Sequence, residues 1–139
     1  MARVSAGSPR PRRPRRPRGA AESLASIVLA AEALVVFLGG MVAYGLGALP
    51  ESIPGWWGIV AGSVLAALMI ATGAVARYRW GIALGWLWQL VIALGAFVLP
   101  ALLLVALIFG AMYAYGTIKG GALDKRNAQL AAHAESNGD

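Results

Sequence analysis

Two polar side chains stand where polarity is costly. Glu32 falls inside the apolar run Leu24 to Tyr44, and Gln89 inside the run Gly81 to Leu99. A carboxylate in hydrocarbon costs about 3 kcal/mol on insertion scales and is normally turned toward protein, so it needs a partner or a proton. Gln89 can supply a partner, because its amide both donates and accepts. Counted from Ser23 and Trp80, each residue lies nine positions into its run, roughly 13 Å at the helical rise. The two therefore share a depth near the middle of a bilayer if their helices are neighbours.

Helical spacing adds a second coincidence. Ala25, Val28, Val36, Gly39 and Ala43 share the Glu32 face, whereas Leu24, Ile27, Leu34 and Leu38 lie opposite. Gly85, Ala93 and Ala96 share the Gln89 face, with Leu84, Leu87, Val91, Leu94 and Val98 opposite. Small faces are where membrane helices approach closely, so both polar residues are expected to point into the bundle and to meet. Such a pair has two meanings. In one, Gln89 hydrogen-bonds a protonated Glu32 and fixes helix packing, worth about 1 kcal/mol. In the other, Glu32 takes and releases a proton or binds a cation during transport.

Other chemistry is scarce. Cysteine is absent, which excludes disulfides and thiolate metal sites, and the single histidine, His133, has no fellow ligands around it. No metal or cofactor is expected. No nucleophile and base pair or phosphate loop can be assembled, so the chain does not read as an enzyme. The hydroxyls of Ser63 and Thr72 can bond back to their own helices. Gly58 and Gly62, Gly81 and Gly85, and Gly110 and Ala114 are small pairs four apart that permit close helix crossing. Trp86, Trp88, Tyr113 and Tyr115 read as packing and boundary anchors.

The elements that must hold these residues are membrane spans. Apolar residues make up 59% of 139 and charged ones 13%, with a mean hydropathy of +0.68, which exceeds what a soluble core of this length requires. The first run, about 24–44, is long for a signal-peptide core and lacks a clear cleavage pattern, so it is read as a retained span. The glycines and prolines of 45–55 form a loop. Trp56 and Trp57 open the second span, 56–76, at a depth that suits the headgroup boundary. From Gly81 to Ile118 there is no charge. One helix of that length would measure roughly 57 Å, nearly twice the hydrocarbon thickness, so the chain must turn. Pro100 favours a hairpin at Phe97 to Pro100 and spans over about 81–99 and 101–118. A re-entrant pair is the other way to fold this stretch.

Charge orients the bundle. The N-terminal tail, the Arg77 to Trp80 loop and the C-terminal tail hold all 12 Lys and Arg residues, and the 45–55 loop and the Pro100 turn hold none. Basic residues near span ends are retained in the cytoplasm, which predicts both termini there. The expected fold is thus all-α, a transmembrane four-helix bundle with cytoplasmic termini, in a cell membrane. Residues 1–22 should form a disordered Pro/Arg-rich tail and 119–139 a polar tail with one short helix or none. Arg10, Arg12, Arg13, Arg15, Arg16 and Arg18 are candidates for contact with anionic lipid, at about 1 kcal/mol each near a charged surface, or are simply topogenic. The net charge of +6 describes this tail and not a uniformly basic surface, so a nucleic-acid partner is not expected. A twin-arginine export signal is disfavoured by the interrupting prolines.

Three segments carry a resemblance: AEALVVFLGG (Ala31 to Gly40), RWGIALGWLWQLVIALGAFVLP (Arg79 to Pro100) and the span ending in YAYGTIK (Tyr113 to Lys119). Over residues 20 to 120 the chain resembles an uncharacterised family of small actinobacterial membrane proteins, catalogued as a domain of unknown function. The resemblance implies four spans and supplies no activity. Glu32 within AEALV is also similar in placement to the first-span glutamate of small multidrug transporters, which implies proton-coupled export. The long basic tail and one-sided charge depart from that pattern. The leading expectation is a non-enzymatic bundle that serves a structural role, a partner membrane protein or a second copy of itself, with transport through Glu32 as the alternative. Reporter fusions after Pro50, Arg79, Pro100 and Lys125 should read outside, inside, outside, inside, and any swap rejects the assigned spans.

Overall fold

A computed structural model describes residues 17–138. Arg10, Arg12, Arg13, Arg15 and Arg16, and most of the tail expected to be disordered, lie outside the described residues. The fold has four helices, α1 (Ala20–Gly45), α2 (Trp57–Ala74), α3 (Arg79–Gly95) and α4 (Ala101–Asn137), and among the described residues no strand. By length and composition α1, α2 and α4 can each cross a membrane. α3 has 17 residues, roughly 26 Å, and is the short member.

Each connection has a local cause. α1 ends where Gly47 adopts φ +60°. The Gly47 N–H donates to Tyr44 O at 3.2 Å and the Ala48 N–H to Ala43 O at 3.0 Å, the Schellman closure that satisfies the last carbonyls of a helix. Pro54 and the stacked rings of Trp56 and Trp57, 4.9 Å apart, lead into α2. α2 turns tightly into α3 through Tyr78, whose N–H donates to Val75 O at 3.0 Å. Arg77 lies over the Tyr78 ring, 4.6 Å from its centre. Pro100 caps α4 after a turn at Ala96 to Leu99. The turn expected at Phe97 to Pro100 is therefore present, although α3 ends at Gly95 and not at Leu99.

The helices alternate in direction, and glycines set the closest approaches. A Cβ on Gly40 of α1 would run into the Gly58 carbonyl and the Gly62 backbone of α2, so the Gly58/Gly62 pair serves a backbone-to-backbone crossing. Gly81 and Gly85 serve two different neighbours, the Val75 carbonyl and the Tyr113 ring. The outward faces are greasy. Ile27 is 65% exposed and Leu34 61%, while Ala25, Leu29 and Ala33 are wholly buried. That exposure suits lipid, and would be a liability in water.

The largest departure from expectation concerns the C-terminal segment. In place of a separate short helix or none, α4 continues unbroken through residues 119–137. Alanine recurs there beside Leu, Gln, Lys and Arg, all good helix formers, and proline is absent. A tertiary contact holds the first of the two glycines, Gly120 and Gly121, where the span ends. Gly120 packs against the backbone of Ala21 so closely that a Cβ would collide. One turn on, Asp124 Oδ1 accepts the Ala20 N–H at 2.7 Å and Oδ2 the Ala21 N–H at 3.1 Å. Gly19 at the N-cap position has no side chain to offer, so an acid 104 residues away satisfies these amides and also opposes the helix dipole. Asp124→Ala should lower stability by about 1 kcal/mol, the usual cost of a lost cap, read as a fall in the unfolding midpoint in detergent micelles. An unchanged midpoint would show the clamp to be idle.

Candidate functional site

The site grows from the small-residue stripe on α1. Because Ala25, Val28 and Val36 let neighbouring helices close in, the side chain between them is fully enclosed, and Glu32 is 0% exposed. α3 brings Gln89, 7% exposed, to the same level. The Gln89 Nε2 donates to Glu32 Oε2 at 2.6 Å, the two residues being 57 positions apart. The structure thus brings these two sequence candidates together. Glu32 Oε1 and Gln89 Oε1, both acceptors, have no hydrogen-bond partner. A Cβ on Gly110 of α4 would lie 3.5 Å from Gln89 Oε1, so that oxygen faces the third helix of the cluster.

Around this pair runs a set of bonds that cross between helices. Trp88 Nε1 donates to Thr72 Oγ1 at 2.8 Å, and Thr72 donates in turn to Leu68 O at 2.8 Å, which joins α3 to α2. The Tyr113 hydroxyl donates to Ile82 O at 2.9 Å, joining α4 to α3, while Trp86 meets its ring edge-on at 5.7 Å. Ser26 reaches Glu22 O at 2.9 Å and Gly73 O at 2.8 Å, the second joining α1 to α2. The sequence pattern marks Thr72 only as a residue bonded within its own helix and Trp88 and Tyr113 only as general anchors, and Ser26 is absent from the expected polar contacts. The signal for Ser26 was present, since it is the only hydroxyl between Ser23 and Tyr44 in a run of aliphatic residues. Ser63 makes just the intrahelical bond expected of it, to Ile59 O at 2.7 Å.

An apolar crevice of about 190 Å³ opens beside the pair, toward the end of the bundle that holds the 46–56 loop and the Pro100 turn. Val36, Gly39 and Ala43 of α1, Gly62 of α2, and Ile92 and Gly95 of α3 form much of its wall. It stops one helical turn short of Glu32 and Gln89, neither of which lines it. At the opposite end Arg18 stands 3.7 Å from Glu22, its side chain 73% exposed. The other N-terminal arginines lie outside the described residues. Among the described residues no three His, Cys, Asp or Glu side chains gather as metal ligands.

The pair can do two things chemically. It can hold α1 against α3, and it can exchange a proton at a single carboxyl. Gln89→Leu should cost about 1 to 3 kcal/mol, because it strands the Glu32 carboxyl without its donor. The double change Glu32→Leu with Gln89→Leu should recover most of that loss, since apolar replacement of both partners is often nearly neutral. Unfolding in mixed micelles measures both, and a double variant as unstable as the sum of the singles would reject the pairing.

The family model described as Protein of unknown function (DUF4233) matches residues 23–129, and the chain belongs to that family. The matched stretch contains Glu32, Gln89 and Asp124. No curated protein and no solved structure gives a significant match.

Proposed function

We propose that this member of the DUF4233 family is a non-enzymatic, four-span protein of the plasma membrane whose bundle acts as a structural or partner-binding element. The observation that carries the reading is the closure of its most costly group. Glu32 is fully buried, engaged by Gln89 at 2.6 Å, and separated by a turn of helix from the crevice at Val36. Groups that bind and release cargo are reached by water or ligand, whereas groups that brace a bundle are sealed. The exposed apolar faces of α1, α3 and α4 are lipid-facing, and a membrane protein partner or a second copy would cover part of them.

The basic residues support cytoplasmic termini. The start of α1, the α2–α3 turn and the Lys119 level of α4 lie at one end of the bundle, as the Ala21–Gly120 and Ser26–Gly73 contacts require. Arg18, Arg77, Arg79 and Lys119 therefore cluster on one side, where retention of positive charge and attraction to anionic headgroups act together.

A second reading rests on the crevice. It ends at Val36 and Ile92, one turn from an acid with a free oxygen, and a small rearrangement would join the two. That arrangement would suit a small proton-coupled transporter using Glu32. Reconstituted liposomes separate the readings. With a proton gradient and a panel of lipophilic cations, the bracing role predicts no flux above empty vesicles, and robust flux abolished by Glu32→Gln would sink it.

A further inference from the structure

We infer that the bundle holds one proton on Glu32, so that the site at its centre is a neutral acid–amide couple whose ligand is that proton and not a metal or organic cation. The inference rests on the bracing role of the pair and deepens it. Its first support is the count of donors. Glu32 Oε1 and Gln89 Oε1 are both buried acceptors without a partner, and two acceptors cannot satisfy each other. The donors of the surrounding network are already committed. Tyr113 gives its hydrogen to Ile82 O, Thr72 to Leu68 O, Trp88 to Thr72, and Ser26 to backbone carbonyls. A proton on Glu32 Oε1 relieves that orphan, turning a buried acceptor into the O–H of a neutral acid. Only a proton from water is consumed, and no bond other than O–H forms.

The second support is the absence of a counter-charge. α2 contains no charged residue. α3 has only Arg79 at its first position, ten residues before Gln89, roughly 15 Å along the axis. On α4 the titratable group that reaches this level is Tyr113, a donor already spent, and the next charge is Lys119, six residues on. α1 itself adds only Glu22, of the same sign, ten residues away. An ionised Glu32 would be a buried charge without an opposite, which a bundle does not retain when a proton is at hand.

The donor set also decides against larger ligands. Calcium takes six to eight oxygens, and magnesium an octahedron. Two orphan oxygens, on residues that do not line the crevice beside them, are too few ligands for either ion.

Infrared spectroscopy of the full chain in lipid nanodiscs tests this directly. At neutral pH the wild type should show the carbonyl stretch of an un-ionised carboxylic acid, sensitive to deuterium, and Glu32→Gln should lack it. Should that variant fail to fold, ¹³C-glutamate labelling of a chain carrying Glu22→Gln, Glu51→Gln and Glu135→Gln makes the same assignment, because Glu32 is then the one labelled acid whose band can shift with the isotope. A wild-type spectrum with carboxylate bands alone would overturn the proton. It would leave the packing role standing if the protein remains folded. Conversely, proton-coupled flux that requires Glu32 would defeat the bracing role and leave the bound proton untouched.

Discussion

A carboxyl group at the centre of a bundle of apolar helices is the constraint from which the rest of this structure follows. Left facing hydrocarbon, Glu32 would cost about 3 kcal/mol. Turned inward, it obliges α1 to keep small residues on either side of it and obliges another helix to present a donor at the same depth. α1 meets the first demand with Ala25, Ala33 and Val36, and α3 meets the second with Gln89, 2.6 Å away. Once α1 and α3 are tied at that level, α2 and α4 must fill the remaining sides of the acid. Met69 of α2 and Tyr113 of α4 join that core, and the helices close through a backbone crossing of Gly40 against Gly58 and Gly62 and through Gly85 beneath the Tyr113 ring.

The secondary bonds repeat the same logic at a smaller scale. In a membrane a hydroxyl or indole without a partner is expensive, and Ser26, Thr72, Trp88 and Tyr113 each link a helix to its neighbour or fold back on its own carbonyls. Thr72 does both. Its hydrogen goes to Leu68 and its lone pair receives Trp88, so a residue type usually neutral in a span becomes the junction between α2 and α3. At the basic end the device changes from hydroxyl to carboxylate, because the amides at the start of α1 are near water and carry partial positive charge. Asp124 answers them and holds the extension of α4 against the start of α1.

Much of this was legible in the residues. The four helices follow from apolar runs of bilayer length, and the inward face of α1 from a stripe of small residues at helical spacing. The meeting of Glu32 with Gln89 follows from equal counts to each span end, because depth is conserved between helices that cross one membrane. What escaped reading has physical causes as well. Tyr113 and Met69, both wholly buried, look like any large apolar or boundary residue until a neighbour leaves a hole for them. Gly85 makes that hole for the tyrosine. The continuation of α4 depends on contacts from Gly120 and Asp124 to residues a hundred positions earlier, and a glycine pair read locally signals only a break. Ser26 bonds to a carbonyl in another helix, a partner that carries no mark in the sequence.

The account stands on the direct engagement of Glu32 by Gln89 within the bilayer. The most immediate measurement is the dipolar coupling between ¹⁵N-labelled Gln89 Nε2 and ¹³C-labelled Glu32 Cδ by solid-state magnetic resonance of the protein in lipid. A coupling strong enough to place Cδ one bond beyond an oxygen 2.6 Å from Nε2 is the predicted result. Its absence in a well-folded sample would contradict the central pairing and with it the arrangement of α1 against α3.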